Sequence, residues 1–347
     1  MIKAVVEGID RLALVEAETP EIGPDSALLK VESVAICGSD VRILHHGNPR
    51  VAYPAVMGHE ASGVVVKTGA NVTRVREGDR VALGADVPCG QCRWCRDGKG
   101  NNCSVNYAVG YQIPGAFTQY MELTPLLLAE GPVTPFGGAM TFDQAALAEP
   151  LACAVNGLEL AGMSLGKTVA IIGLGPIGCM MIDLARAMGA VKVITVQRSR
   201  RRMELAKTYG ADVYIDSSAE DIVARCLEET GGEGPDVVVT TCGSVETHEQ
   251  AIEMVAHRGV VNLFGGLPKD ARPMTVPSNT IHYKECFVTG SHGSTPRHHR
   301  MAVELIARGI VRVDPLITHR FPLSQIHDAF AAMESREGMK VVIHPHG

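Results

Sequence analysis

Four cysteines in the run Cys89-Gly-Gln-Cys92-Arg-Trp-Cys95-Arg-Asp-Gly-Lys-Gly-Asn-Asn-Cys103 are spaced to grip a single ion. Two-residue gaps let a short loop fold three thiolates around one point, and a fourth Cys after seven residues closes a tetrahedron about Zn²⁺. With every position filled by protein, such a site is structural. Gaps this short make poor disulfide pairs, and Gly90, Gly98 and Gly100 supply the backbone freedom that a metal knuckle needs. A second donor set is dispersed: Cys37 in Cys37-Gly-Ser39-Asp40, His59 and Glu60 in Gly58-His-Glu, and Glu149 before Pro150. Singly these are ordinary core residues. Together they offer a thiolate, an imidazole and two carboxylates, enough for three protein ligands and an open position, which is what a catalytic zinc requires.

A third constellation is Gly173-Leu-Gly175-Pro176-Ile177-Gly178, which follows the apolar run Val169–Ile172 and opens a helical pattern. In that context the first Gly allows the tight turn, the second lets the backbone approach a pyrophosphate, and the third lets helix and strand pack closely. The helix N-terminus then supplies the anion site. An NAD site of this kind carries an acidic residue about 20 positions further on; here Gln197 stands there, followed by Arg198, Ser199, Arg200, Arg201 and Arg202. Arginines at a helix start oppose the macrodipole, and a 2′-phosphate would compensate them. The reading favours NADP over NAD, with Arg198 and Arg202 toward the phosphate. Thr241 and Phe264 close the fourth and fifth apolar runs, where a doubly wound sheet exposes its cofactor crevice.

The elements that must position these groups fall into two textures. As far as Pro150 the chain shows short β-type runs, clearest at Ala27–Ile36, Ala61–Val66 and Gly78–Leu83, broken by Gly, Pro and Asp. From residue 151 apolar strands alternate with helical patterns in the manner of βαβ units, with strands expected at 169–172, 191–196, 213–215, 236–240 and 259–264. The last sixty or so residues return to mixed character, with a helix near 298–308 and a strand at 340–343. His298, His299, His344 and His346 stand among polar neighbours and are expected to face water.

Whole-chain numbers bound the function. A length of 347 residues suggests two domains, and 46% hydrophobic residues can build two cores. A net charge of −6 is the wrong sign for a general nucleic-acid binder. The first residues lack a secretory pattern and no apolar run approaches a membrane span, so the expected place is the cytoplasm, with cysteines that stay reduced.

The order and spacing of Cys37-Gly-Ser-Asp, Gly58-His-Glu, the Cys89 to Cys103 cluster, Glu149-Pro and the glycine string resemble the zinc-containing medium-chain dehydrogenases over essentially the full chain. Within them, Thr318–Leu323 and Gly338–Ile343 look most like the sorbitol (polyol) and threonine dehydrogenase branch. The resemblance implies an α/β fold: a GroES-like β-rich catalytic domain from residues 1–150 and 288–347, and a Rossmann domain, residues 151–287, with the active site in the cleft. It implies Cys37, His59 and Glu149 as catalytic zinc ligands, Glu60 as an exchanging or neighbouring carboxylate, Ser39 as the hydroxyl that takes the substrate proton, and Lys340 near the cofactor pyrophosphate. It also implies a small alcohol or ketone as substrate, NADP or NAD as hydride carrier, and a homodimer or homotetramer. Two departures stand out. Arg42 replaces the His that continues the proton relay in many relatives, facing either an anionic substrate or a surface ion pair, and Gly290–Ser294 replaces the stretch that touches the sugar chain in polyol dehydrogenases. A non-catalytic zinc-binding structural protein is the alternative from another class.

Overall fold

The run Ala27-Leu-Leu-Lys-Val-Glu-Ser-Val-Ala35 is buried along nearly its whole length, only Lys30 and Glu32 being half-exposed, and forms a central strand of an antiparallel sheet. In the computed structural model, which describes residues 1–347, strand Ala27–Ala35 pairs with Glu60–Thr68, with Tyr120–Leu123 and with Lys340–His344. Arg80–Leu83 and Val133–Pro135 extend the sheet on one side, and Ile317–Pro322 lies parallel to Lys340–His344 on the other. The register sets Ala35 opposite both Glu60 and Val342. Three strand ends from distant parts of the chain thus meet at one place. Phe117, whose ring is 5.8 Å from that of Phe330, fills the core beneath; each such buried side chain contributes about 1.5–3 kcal/mol.

A second compact unit comprises residues 153–292 and 310–315; the first comprises 1–152, 293–309 and 316–347. Continuous β-branched runs, which suit strands covered on both faces, form a six-stranded parallel sheet. Its spatial order is Val213–Asp216, Lys192–Gln197, Thr168–Ile172, Val237–Thr240, Val260–Leu263, Phe287–Gly290. Numbered along the chain this is 3-2-1-4-5-6, the doubly wound order, whose direction reverses between the first and fourth strands. Five of these strands are expected from sequence. The sixth is not, and the expected domain boundary at residue 287 runs into it. No helix is long and apolar enough to cross a membrane.

The expectation that His298 and His299 face water is corrected by the helix Pro296–Ala307. Its buried positions are His298, His299, Ala302, Val303 and Ile306, a stripe at helical spacing, so polar neighbours in sequence lie on other faces. His298 joins the N-cap of Thr295 through Nδ1, and the Nδ1 of His299 sits 2.8 Å from the Thr134 hydroxyl. Burial pushes the His299 imidazole down to about 4. The unfolded chain, with a value of about 6.5, therefore binds a proton that the folded chain refuses. Stability should fall as pH drops from about 6.5 toward 4, by up to ~3 kcal/mol from this residue. Urea midpoints measured across that window should depend less steeply on pH in His299→Gln than in the parent; equal slopes would refute the assignment.

Candidate active site

Cys37 follows the central strand directly and caps the N-terminus of helix Gly38–His46, where the macrodipole favours negative charge. Glu60 opens the neighbouring strand with His59 just before it, and the Ala35–Glu60 register brings them alongside. The donor atoms of Cys37, His59 and Glu60 all lie within 4.8 Å of one another. His59 and Glu60 are buried. Ser39 places its hydroxyl 3.4 Å from His59 Nε2. Glu149 lies in the first turn of helix Ala148–Leu160, 5% exposed, outside the 4.8 Å cluster but electrostatically linked to His59 and Glu60.

The electrostatics of the cluster call for a cation. Burial, with Glu60 and Asp86 adding to it, pushes the Glu149 carboxyl up to about 7 against the pull of His59 and Lys340. Burial draws the His59 imidazole down, but the Asp40 carboxylate outweighs it and holds the ring well above its ordinary value. A soft sulfur, an imidazole and carboxylates at this spacing fit Zn²⁺. Asp40, wholly buried, accepts from the Cys37 N–H at 2.9 Å and lies 3.4 Å from His59 Nδ1, without the alignment of a hydrogen bond. The carboxylate thus faces the Nδ1 side of the ring, and Nε2 lies on the side of the Ser39 hydroxyl.

Lys340, expected at the cofactor pyrophosphate, is 4% exposed and donates to both oxygens of Glu60 and to the Ile36 carbonyl. Arg42 is exposed on helix Gly38–His46 and makes no ion pair, so the surface-pair reading finds no support. Sequence reasoning passed over Asp40 as a site residue, along with Tyr111, whose ring is 6.1 Å from that of His59. The spacing of Cys37-Gly-Ser-Asp40 signals the first. Nothing local signals Tyr111.

The second cluster holds Cys89, Cys92, Cys95 and Cys103 within 4.8 Å. All ten cysteines are free thiols. Sulfur separations of 3.4 Å for Cys92–Cys95 and 3.9 Å for Cys89–Cys95 and Cys92–Cys103 compare with about 3.8 Å for the edge of a tetrahedron of zinc thiolates. Backbone N–H groups of Ser104 and Cys95 lower the Cys92 thiol to about 5, whereas burial and its thiol neighbours raise Cys95 to about 12.

In the parallel-sheet unit the glycine loop has the form its residue types require. Gly173 takes φ +103°, and a Cβ on Gly178 would lie 2.0 Å from the Gly173 carbonyl. A Cβ on Gly175 would meet nothing within 4 Å, which is the open approach a pyrophosphate needs. Pro176 and Ile177 begin the helix Pro176–Ala187, whose N-cap, Gly175, offers no side chain to its N–H groups. Thr241 directs its hydroxyl to the Ile172 and Gly173 carbonyls, bracing the loop from the adjacent strand. Phe264 packs against Gly157. Gln197 Oε1 accepts from the N–H groups of Arg198 and Ser199; Arg198 is exposed, Arg202 half-buried, and Arg200 is 3.2 Å from Asp216.

Two families match this chain: "Zinc-binding dehydrogenase" over residues 176–308 and "Alcohol dehydrogenase GroES-like domain" over residues 23–132. The D-arabitol-phosphate dehydrogenase of Enterococcus avium is 31% identical over 97% of this chain and 94% of its own length. The L-threonine 3-dehydrogenase of Caldanaerobacter subterraneus subsp. tengcongensis is 34% identical over 98% and 96%. A Sinorhizobium meliloti 1021 structure bound to NADP superposes with a TM-score of 0.92 at 31% identity, covering 99% of both chains.

Proposed function

The chain belongs to the zinc-dependent medium-chain alcohol dehydrogenases, and from that premise we propose that it reversibly oxidises a secondary alcohol of the polyol, cyclitol or sugar-alcohol type to a ketone, with NADP as hydride acceptor. The observation that carries the reading is the convergence of Cys37, His59 and Glu60 beside the Ser39 hydroxyl. Zn²⁺ bound there would supply Lewis acidity, the effect that lowers the pKa of water from 15.7 to about 7 at such sites. Cys37 and His59, with Glu149 as third ligand, would hold it. Ser39 takes the hydroxyl proton of the substrate and passes it on. Asp40 keeps His59 in the ligating orientation, and Lys340 neutralises Glu60 so that this carboxylate does not add uncompensated charge. The four-cysteine loop would hold a second, structural zinc.

Cofactor choice rests on the absence of a carboxylate at residue 197 and on the exposed Arg198, with Arg202 in the next turn. A charge-assisted bond to a 2′-phosphate is worth about 1.5–3 kcal/mol. Arg198→Ala should therefore raise KM for NADP⁺ by about tenfold or more while leaving KM for NAD⁺ within about twofold. Equal effects on both cofactors would remove the argument. The family resemblance further supports a cytoplasmic homodimer or homotetramer.

The test is a screen of polyols, cyclitols, polyol phosphates and hydroxy-amino acids with NAD⁺ and NADP⁺, followed by absorbance of the reduced cofactor. Turnover of a polyol-type alcohol is expected. Identity to threonine dehydrogenases favours one competing outcome, oxidation of an amino alcohol of the threonine kind. A zinc-loaded protein that binds NADP and oxidises none of them would be the non-catalytic zinc protein instead.

A further inference from the structure

Arg50 stands one aromatic ring away from the ligand cluster. Its guanidinium carbon lies 5.0 Å over the centroid of Tyr111, that ring is 6.1 Å from the His59 imidazole, and the phenol interacts with the Ser39 side chain. One aromatic ring therefore links a permanent positive charge to the group that receives the alcohol. It is also held still. The Nη2 edge donates to the Asn106 carbonyl and, at 3.5 Å, to Gln112 Oε1, while the Arg50 backbone N–H donates to Asn48 Oδ1 at 2.9 Å. Asn106 presents its carbonyl from a left-handed φ of 52°, a conformation that Asn tolerates.

Those contacts use one nitrogen of the guanidinium and leave Nε and Nη1 as unpaired donors on two different edges. No carboxylate makes an ion pair with Arg50, although a half-buried arginine near an acidic cluster would ordinarily be matched to one. Stacking on an aromatic face fixes the guanidinium plane and leaves those donors available for charge-assisted hydrogen bonds to phosphate or carboxylate. The surrounding loop thus holds a positive charge against the Tyr111 ring and supplies no carboxylate to match it.

We propose that Arg50 anchors an anionic group of the substrate, so that the alcohol oxidised here carries a phosphate or a carboxylate in addition to its reacting hydroxyl. This deepens the alcohol dehydrogenase reading and rests on it. The anion orients the substrate across the Tyr111 ring and selects it against neutral polyols of the same length.

Full-length zinc-loaded enzyme with saturating NADP⁺ should be compared as wild type, Arg50→Gln, Arg50→Lys and Arg42→Gln. The substrates are a pentitol, its monophosphate and L-threonine. Expected is a kcat/KM for one anionic alcohol about a hundredfold above that for the pentitol. Arg50→Gln should raise KM for that substrate about thirtyfold with kcat within about threefold, leave the pentitol unchanged, and be partly rescued by Lys. Preference for the monophosphate assigns the anion as phosphate, and preference for threonine assigns it as carboxylate. A wild type that prefers the free pentitol overturns the anchor and leaves the polyol reading intact. The anchor also falls if KM rises equally for charged and neutral alcohols, or if Arg42→Gln reproduces the effect. Oxidation of none of the three by protein that holds zinc and NADP defeats both readings together.

Discussion

His59→Ala should lower kcat for alcohol oxidation at least about a thousandfold, while the affinity for NADP stays within about twofold and bound zinc falls by one ion per chain. Three features make the effect this large. The imidazole is one of three candidate ligands whose donor atoms share a 4.8 Å neighbourhood, so its loss removes a ligand and not a support. It is also 3.4 Å from Ser39, and the hydroxyl loses its orienting neighbour at the same time. Finally, Asp40 is left as a buried carboxylate facing a cavity, which attracts water into the place the substrate oxygen should take. Cys37→Ala should behave alike. Zinc content by atomic spectroscopy, NADP titration and steady-state rates on one preparation decide the matter: a variant within tenfold of the parent rate would mean that the chemistry lies elsewhere. Thermal unfolding serves as the control, because the four-cysteine loop keeps its own ligands in both variants.

Lys340→Met should cost about 3–5 kcal/mol of stability, the usual consequence of leaving one member of a buried ion pair without its partner. Lys340 and Glu60 are both below 5% exposure, and the ammonium donates to both carboxylate oxygens. Removing the lysine strands Glu60 beside Cys37 and Glu149, two groups that also seek positive charge. The double variant Lys340→Met with Glu60→Gln should regain more than half of the loss, because no net charge is then buried. Urea unfolding of zinc-free protein, in which no ion can substitute for the ammonium, isolates the pair. A single variant within 1 kcal/mol of the parent on that assay would show that water or another residue already shields Glu60.

Features of the site that depend on short spacing were legible in the chain itself. Cys89 to Cys103 can close on one ion because the loop between them is brief, and Gly173 to Gly178 occupies a strand-to-helix turn whose positive φ at 173 and close approach at 178 require glycine. Dispersed features were legible as residue types and not as partnerships. Cys37 and Glu60 meet because Ala35 and Glu60 share a register position, and nothing in either local run states which strands pair. The same holds for Lys340, whose partner is fixed by the pairing of Val342 with Ala35. Arg50 and Tyr111 lie 61 positions apart and meet across loops. His298 and His299 were misjudged for a different reason: flanking Arg297 and Arg300 colour the local composition, whereas burial follows the helical period. The sixth parallel strand, Phe287–Gly290, lies at the sheet edge and is largely exposed, so it lacks the buried apolar run that marks the others.

The first sheet is closed by its latest strand, and this has a consequence for biosynthesis. A ribosome releases Cys37, His59 and Glu60 nearly three hundred residues before Lys340 emerges. During that interval residues 34 and 35 have no neighbour on one edge and the Glu60 carboxylate has no counter-ion within the nascent chain. The parallel-sheet unit is translated in full meanwhile, since all its residues, 153–292 and 310–315, precede Lys340. The counter-ion of Glu60 is therefore made only after the parallel-sheet unit, and products of termination between residues 150 and 340 would carry every candidate ligand and still present an open, charged strand edge to the quality-control machinery.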